Sequence, residues 1–180
     1  MKKEGLTRRA NSHAVYGVDR NPTGLEKGVL TSFLLCSTVD MSDSVYSELN
    51  FHITWHTKSN LPMISGNIQE RLYHYLTHKI LATPGALLHA IGGVEDHIHI
   101  ATSLPPNILV SDWVGKLKGA SSYYINHEVQ AKALQWQRGY GIVTFGTKDL
   151  KWVVEYIRNQ KEHHARGTVH ERLERFSDES

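Results

Sequence analysis

The sequence predicts an α+β domain with a four-stranded antiparallel sheet and an extra helix at its C-terminal end. Three observations lead there. Apolar residues alternate strictly over 49–55 (LNFHITW), the period of a strand with one face buried. Over 67–82 the spacing changes, and Ile68, Leu72, Tyr75, Leu76 and Ile80 form one stripe of an amphipathic helix. Continued along the chain, such segments follow the order β-α-β-β-α-β-α, a ferredoxin-like split βαβ (RRM-like) unit with one helix added.

Each element has its own justification. In the first strand Leu49, Phe51, Ile53 and Trp55 face the core, while Asn50, His52, Thr54 and His56 face away. The first helix stops at Pro84-Gly85. ALLHAIGG (86–93) and EDHIHIATSL (95–104) read as a hairpin turning at Gly92-Gly93, and Pro105-Pro106 ends the second of these strands. Ser111 is placed as an N-cap, with Asp112 in the first turn of a helix carrying Trp113, Val114, Leu117 and Tyr124. Lys116 and Lys118 lie off that stripe. ALQWQRGYGIVTF (133–145) supplies the fourth extended segment, broken at Gly139 and Gly141. The last helix runs through TKDLKWVVEYIRNQKEHH, with Thr147 as a cap and Leu150, Val153, Val154 and Ile157 as its apolar stripe. A short charged helix follows, opened by the capping box Thr168-x-x-Glu171.

Composition bounds the function. The chain of 180 residues, 40% hydrophobic, suits a single globular domain. Its best apolar run, GVLTSFLLC (28–36), falls far short of the ~20 residues of a membrane span. The single cysteine, Cys36, excludes an internal disulfide and a cysteine-rich zinc site, and a reducing cytoplasm is the expected location. Residues 1–40 hold six basic and four acidic residues, and the rest of the chain holds 14 of each. Charge alone therefore gives no case for nucleic-acid binding. Residues 1–43 show no sustained periodicity and are expected to be a disordered or non-native extension, since Met41 opens like a start. The domain is expected over 44–166, with 167–180 a charged tail or short helix.

The chemistry is concentrated in two places. His97 and His99 stand two apart in a strand, so both imidazoles project from one face, with Ile98 and Ile100 on the other. Two imidazoles aimed at one point suit a divalent metal. Tyr156 and Gln160 stand four apart on the last helix, on a partly exposed face offset from the apolar stripe, and His163 and His164 extend that side. Either piece alone is outweighed by the plain reading of solvated surface.

Together the pieces resemble the HUH-superfamily single-tyrosine transposases of short insertion sequences, a group that includes the REP-associated tyrosine transposases. The resemblance rests on DHIHI, WQRGYG and YIRNQKEHH in that order and covers about residues 45–166. It implies a DNA transposase that cleaves and rejoins single-stranded DNA at element ends through a 5′-phosphotyrosine intermediate. Tyr156 is then the nucleophile, and His97, His99 and Gln160 hold Mg²⁺ or Mn²⁺. DNA hairpins are the implied partners, and a homodimer is implied in which one subunit's tyrosine serves the other's histidines; a monomer folding its own helix back is the alternative. Asp96 or Glu95 is placed to orient a ligand histidine, and His163 to assist near the tyrosine. His52 and His56 line a DNA groove or meet solvent. Lys116, Lys118, Arg138, Arg158 and Lys161 are candidate phosphate contacts. Two rivals remain. A two-histidine phosphoesterase needs two H-x-(Ser/Thr) motifs, and only His52-Ile53-Thr54 fits, because Ala101 ends the other. A host-domesticated relative acting on repetitive palindromic DNA is the second.

Overall fold

The structure, a computed structural model, describes residues 46–175. The expectation for residues 1–43 lies outside the described residues. Strand β1 (Asn50–His56) is followed by helix α1 (Gly66–Leu81), then β2 (Leu87–Gly93) and β3 (His97–Ser103). Helix α2 (Val110–Tyr124) runs into a π-helical turn, and β4 (Gly141–Phe145) completes the sheet. Three helices follow: α3 (Leu150–Arg158), α4 (Gln160–Arg166) and α5 (Glu171–Glu174). The sheet is antiparallel throughout, in the order β2-β3-β1-β4. This is the ferredoxin-like arrangement, with three short helices in place of the single C-terminal helix expected. No helix among the described residues is long and apolar enough to cross a membrane.

Both faces of the sheet are covered, and that decides where the polar residues lie. Ile53 and Trp55 of β1 join Ile98 and Ile100 of β3 in one core with Leu72, Leu76 and Ile80 of α1 and Val114 and Leu117 of α2. On the opposite face, Val153 and Ile157 of α3 pack on Ala90 and Ala101. This second cover buries what the alternation in β1 left open. His52, Thr54 and His56 are all buried, so the strand is not half-exposed and the two histidines meet neither solvent nor an open groove.

Several local expectations shift. Gly92 and Gly93 lie inside β2, and the hairpin turns through Val94–Asp96 instead. Leu109, not Ser111, caps α2, and Thr147 lies inside a 3-10 turn where its hydroxyl bonds Glu48 rather than a helix end. The expected single last helix breaks at Asn159 (φ −100°, ψ 20°) into α3 and α4. Gly167 ends α4 in the left-handed conformation (φ 65°), which glycine adopts at little cost. The chain then returns, so that His170 caps α5 in place of the expected Thr168 box.

Candidate active site

The site forms where the second face of the sheet meets α3, α4 and the returning tail. β1 and β3 pair with His56 opposite His97 and Thr54 opposite His99. Side chains of this register meet across and diagonally, so four histidines line one face. His97 and His99 are 2% and 0% exposed, and their rings stand edge-on with centroids 4.9 Å apart. His56 stacks on His97 with centroids 4.6 Å apart.

Each of the two central histidines is held through one nitrogen. His97 Nδ1 lies 2.6 Å from Asp96 Oδ1, and His99 Nδ1 lies 2.9 Å from His52 Nε2. The expected orienting role of Asp96 therefore has a contact behind it. The partner of His99 was not anticipated. With hydrogens on both Nδ1 atoms, donated outward, each Nε2 presents a lone pair to the centre of the site. Burial lowers the pKa of His52 to about 3, with His99 nearby adding to it, so His52 stays neutral, and with its own hydrogen on Nδ1 its Nε2 is free to accept from His99. Burial lowers His99 as well. Burial works against protonation of His97 too, but the carboxylates of Glu174 and Asp96 outweigh it and raise its pKa.

Tyr156 reaches the site from α3, and Gln160, the first residue of α4, lies beside it. Both are buried, 4% and 1% exposed, rather than partly exposed as expected, and over Tyr156 the cover includes His170 and Glu174 of the chain beyond Gly167. The Tyr156 ring lies edge-on to His99 with centroids 6.2 Å apart, and is stacked between Trp152 and His163. Its hydroxyl donates to Glu174 Oε1 and accepts from the His170 N–H at 2.9 Å. Burial and the Glu174 contact push the tyrosine up to about 12. His163 Nδ1 lies 3.1 Å from the Thr168 hydroxyl, and its ring is stacked on the tyrosine.

A metal ion fits these residues. Among the described residues, His97 Nε2, His99 Nε2 and both amide atoms of Gln160 are buried without a hydrogen bond. Unpaired polar atoms at such depth are costly unless something else satisfies them. Two imidazole nitrogens and an amide oxygen are ordinary ligands of divalent cations. A second grouping overlaps it: one ligand atom each from His97, His164 and Glu174 lie within 4.8 Å of one another.

Glu174 escaped the sequence reading altogether. Its Oε2 lies 3.4 Å from His97 Nε2, 3.3 Å from His99 Nε2 and 3.8 Å from His164 Nε2. Burial would raise its pKa, yet the two imidazoles hold it well below the usual carboxylate range. Nothing in the charged stretch ERLERF distinguishes it, since no motif or period attaches a tail glutamate to a distant strand.

The candidate phosphate contacts divide. Lys118 is buried, and its ammonium donates to the carbonyls of Arg138 (3.0 Å) and Gly139 (2.6 Å), which takes it out of that set. Lys116 is exposed on α2, across the sheet from the histidines. Arg138 is exposed beside Lys58 and Gln137. Arg158 and Lys161 are exposed on α3 and α4, the helices that carry Tyr156 and Gln160, and Lys161 donates to Gln69.

The family described as "Transposase IS200 like" matches residues 45–160, and the chain belongs to it. Over 73 residues the chain is 34% identical to the transposase for insertion sequence element IS200 of Salmonella typhimurium, covering 37% of this chain and 47% of that protein. The Salmonella typhi transposase for the same element matches equally. The chain thus spans about half the length of these two relatives. It is 25% identical over 119 residues to the ISDra2 transposase TnpA of Deinococcus radiodurans, covering 63% of this chain and 84% of that one. Two solved structures share the fold. A putative transposase from Deinococcus radiodurans superposes with a TM-score of 0.52 at 23% identity, over 66% of this chain and 96% of that one. A REP-associated tyrosine transposase bound to a REP hairpin gives 0.51 at 18% identity, over 70% and 76%.

Proposed function

We propose that the protein is a metal-dependent transposase and endonuclease that cleaves and rejoins single-stranded DNA at element ends, with Tyr156 as the nucleophile. One observation carries this reading. In a chain of this family, the buried Tyr156 hydroxyl and the Nε2 atoms of His97 and His99 all face one group, the Glu174 carboxylate, and Gln160 lies beside the tyrosine.

The Tyr156 oxygen bonds to the scissile phosphorus as the phosphorus–3′-oxygen bond breaks. The tyrosine gives up its proton and the departing 3′-oxygen gains one. A 5′-phosphotyrosine link and a free 3′-hydroxyl result, and the linkage retains the bond's free energy, so rejoining needs no ATP. His97, His99 and Gln160 would hold Mg²⁺ or Mn²⁺, which would supply Lewis-acid stabilisation of the charge developing on the phosphate. The protein's own part is to position and exclude. Asp96 and His52 fix the imidazoles, and Trp152 and His163 fix the tyrosine ring. With a pKa pushed up to about 12, the tyrosine is protonated at neutral pH, so its proton leaves as the attack proceeds.

The substrate in this reading is a hairpin folded from one strand at the element's end, bound through a local basic rim to which Arg158 and Lys161 belong. Binding of a REP hairpin by a protein of the same fold supports it. A host-domesticated relative processing repetitive palindromic DNA is the second reading, favoured by that same likeness; such an enzyme would cleave repeats scattered through a genome rather than the ends of its own element. The working compartment in either case is the cytoplasm.

The test is denaturing electrophoresis of a labelled single-stranded hairpin substrate incubated with Mn²⁺. Cleavage with a slowly migrating protein–DNA product is expected, and chelation of the metal should remove it. Equal cleavage of a blunt duplex of the same sequence would refute the substrate assignment.

A further inference from the structure

We propose that Glu174, brought back by the chain beyond Gly167, is a further protein ligand of the cation when DNA is absent, in the position that a substrate phosphate oxygen takes. The inference rests on the metal site proposed above and adds a residue outside the span matched by the family.

Three features of the geometry and one of the cation's chemistry carry it. Glu174 Oε2 approaches both ligand histidines at nearly the same distance, 3.4 and 3.3 Å. At these distances neither Nε2 makes an aligned hydrogen bond to it, and neither has another hydrogen-bond partner. A shared proton would pull one nitrogen into line. Adjacent ligands of an octahedral cation with bonds of about 2.1 Å stand about 3 Å apart, so the observed spacing is close to that of oxygen and nitrogen around a common ion. Mg²⁺ and Mn²⁺ also favour oxygen ligands, and two imidazoles with one amide supply only one protein oxygen. A carboxylate corrects that deficiency.

The other carboxylate oxygen explains the overlap with substrate. Oε1 accepts from the Tyr156 hydroxyl while Oε2 faces the two imidazoles, so one anionic group spans the nucleophile and the ligand nitrogens. A scissile phosphate has to span the same two points. The tail is seated firmly enough to hold this position. Leu173 is 4% exposed, the His170 N–H donates to the tyrosine oxygen, and the Arg175 carbonyl lies against Gly141, where an added Cβ would come within 1.8 Å of it. An incoming phosphate must therefore displace Glu174, and a cation freed of that carboxylate carries one more unit of net charge for the substrate.

The experiment is titration of Mn²⁺ into the full chain without DNA, comparing wild type with Glu174→Gln, His97→Ala and, as a tail control, the exposed Glu171→Gln. Glu174→Gln should weaken binding about tenfold or more, and Glu171→Gln should leave it unchanged. If His97→Ala weakens Mn²⁺ binding while Glu174→Gln matches wild type, Glu174 is only an ion-pair partner and the inference fails. If His97→Ala also matches wild type, the underlying metal site is itself wrong. Hydrogen exchange on the wild type guards against a misfolded variant. Amides of 168–175 should slow on adding Mn²⁺ and quicken again when a single-stranded hairpin substrate is added with a phosphorothioate at the cleavage point. Exchange indifferent to both additions would overturn the proposal.

Discussion

At the scale of single residues, the site depends on which nitrogen of each histidine is committed elsewhere. His99 can present Nε2 only while Nδ1 has an acceptor, and His52 at 2.9 Å provides it. His52→Ala should therefore weaken Mn²⁺ binding by roughly 10- to 100-fold, although His52 is not itself a candidate ligand. Equal metal affinity in the variant would show that His99 needs no such support. Lys118 makes the opposite point, for its charge serves the fold. Lys118→Met leaves the Arg138 and Gly139 carbonyls without their donor, at a cost of about 1–3 kcal/mol for each buried group left unpaired. Thermal unfolding should show the loss, while the salt dependence of DNA binding should not change; a slope shallower by about one would restore Lys118 as a phosphate contact. The pairing of His97 with His99 was legible because a strand's period fixes it. The burial of His52 and Lys118 was not, since it depends on distant segments: the His99 partner of His52 is 47 residues away, and the carbonyls that hold Lys118 are 20 and 21 residues away.

At the scale of elements, order and type followed from periodicity, and the errors fall at junctions. Gly92 was read as a turn residue, but its lack of a side chain serves packing within β2. A Cβ there would stand 2.2 Å from the carbonyl oxygen of Ile157, so the missing side chain is what lets α3 lie down on the sheet next to Tyr156. Gly92→Ala should push α3 outward, destabilise the protein by about 1–3 kcal/mol, and depress cleavage more than it depresses hairpin binding. Wild-type stability and cleavage together would mean that the helix is not seated as described. The break at Asn159 was equally invisible, because the pattern from Leu150 to His164 carries no proline or glycine to mark it. The break places Tyr156 near the end of one helix and Gln160 at the start of the next.

For the whole molecule, the resemblance led to a homodimer sharing its tyrosines. Within this one chain, the Tyr156 ring stands edge-on to its own His99 with centroids 6.2 Å apart, and Gln160 lies beside the tyrosine. That placement supports a site completed in cis. Mixing a His97→Ala/His99→Ala subunit with a Tyr156→Phe subunit should then leave cleavage absent, whereas recovery of activity would restore the shared arrangement. What the sequence held of the site was the part written into motifs, the two histidines, the tyrosine and the glutamine. The carboxylate that closes it arrives from a tail without pattern.

The central claim is that Tyr156 forms a covalent bond to DNA. Its most direct measurement is mass spectrometry of the protease-digested product formed with a single-stranded hairpin substrate and Mn²⁺. The account predicts a deoxynucleotide adduct on the peptide containing Tyr156, and no adduct in Tyr156→Phe. An adduct on another residue, such as Tyr123, Tyr124 or Tyr140, or one that persists in Tyr156→Phe, would contradict it.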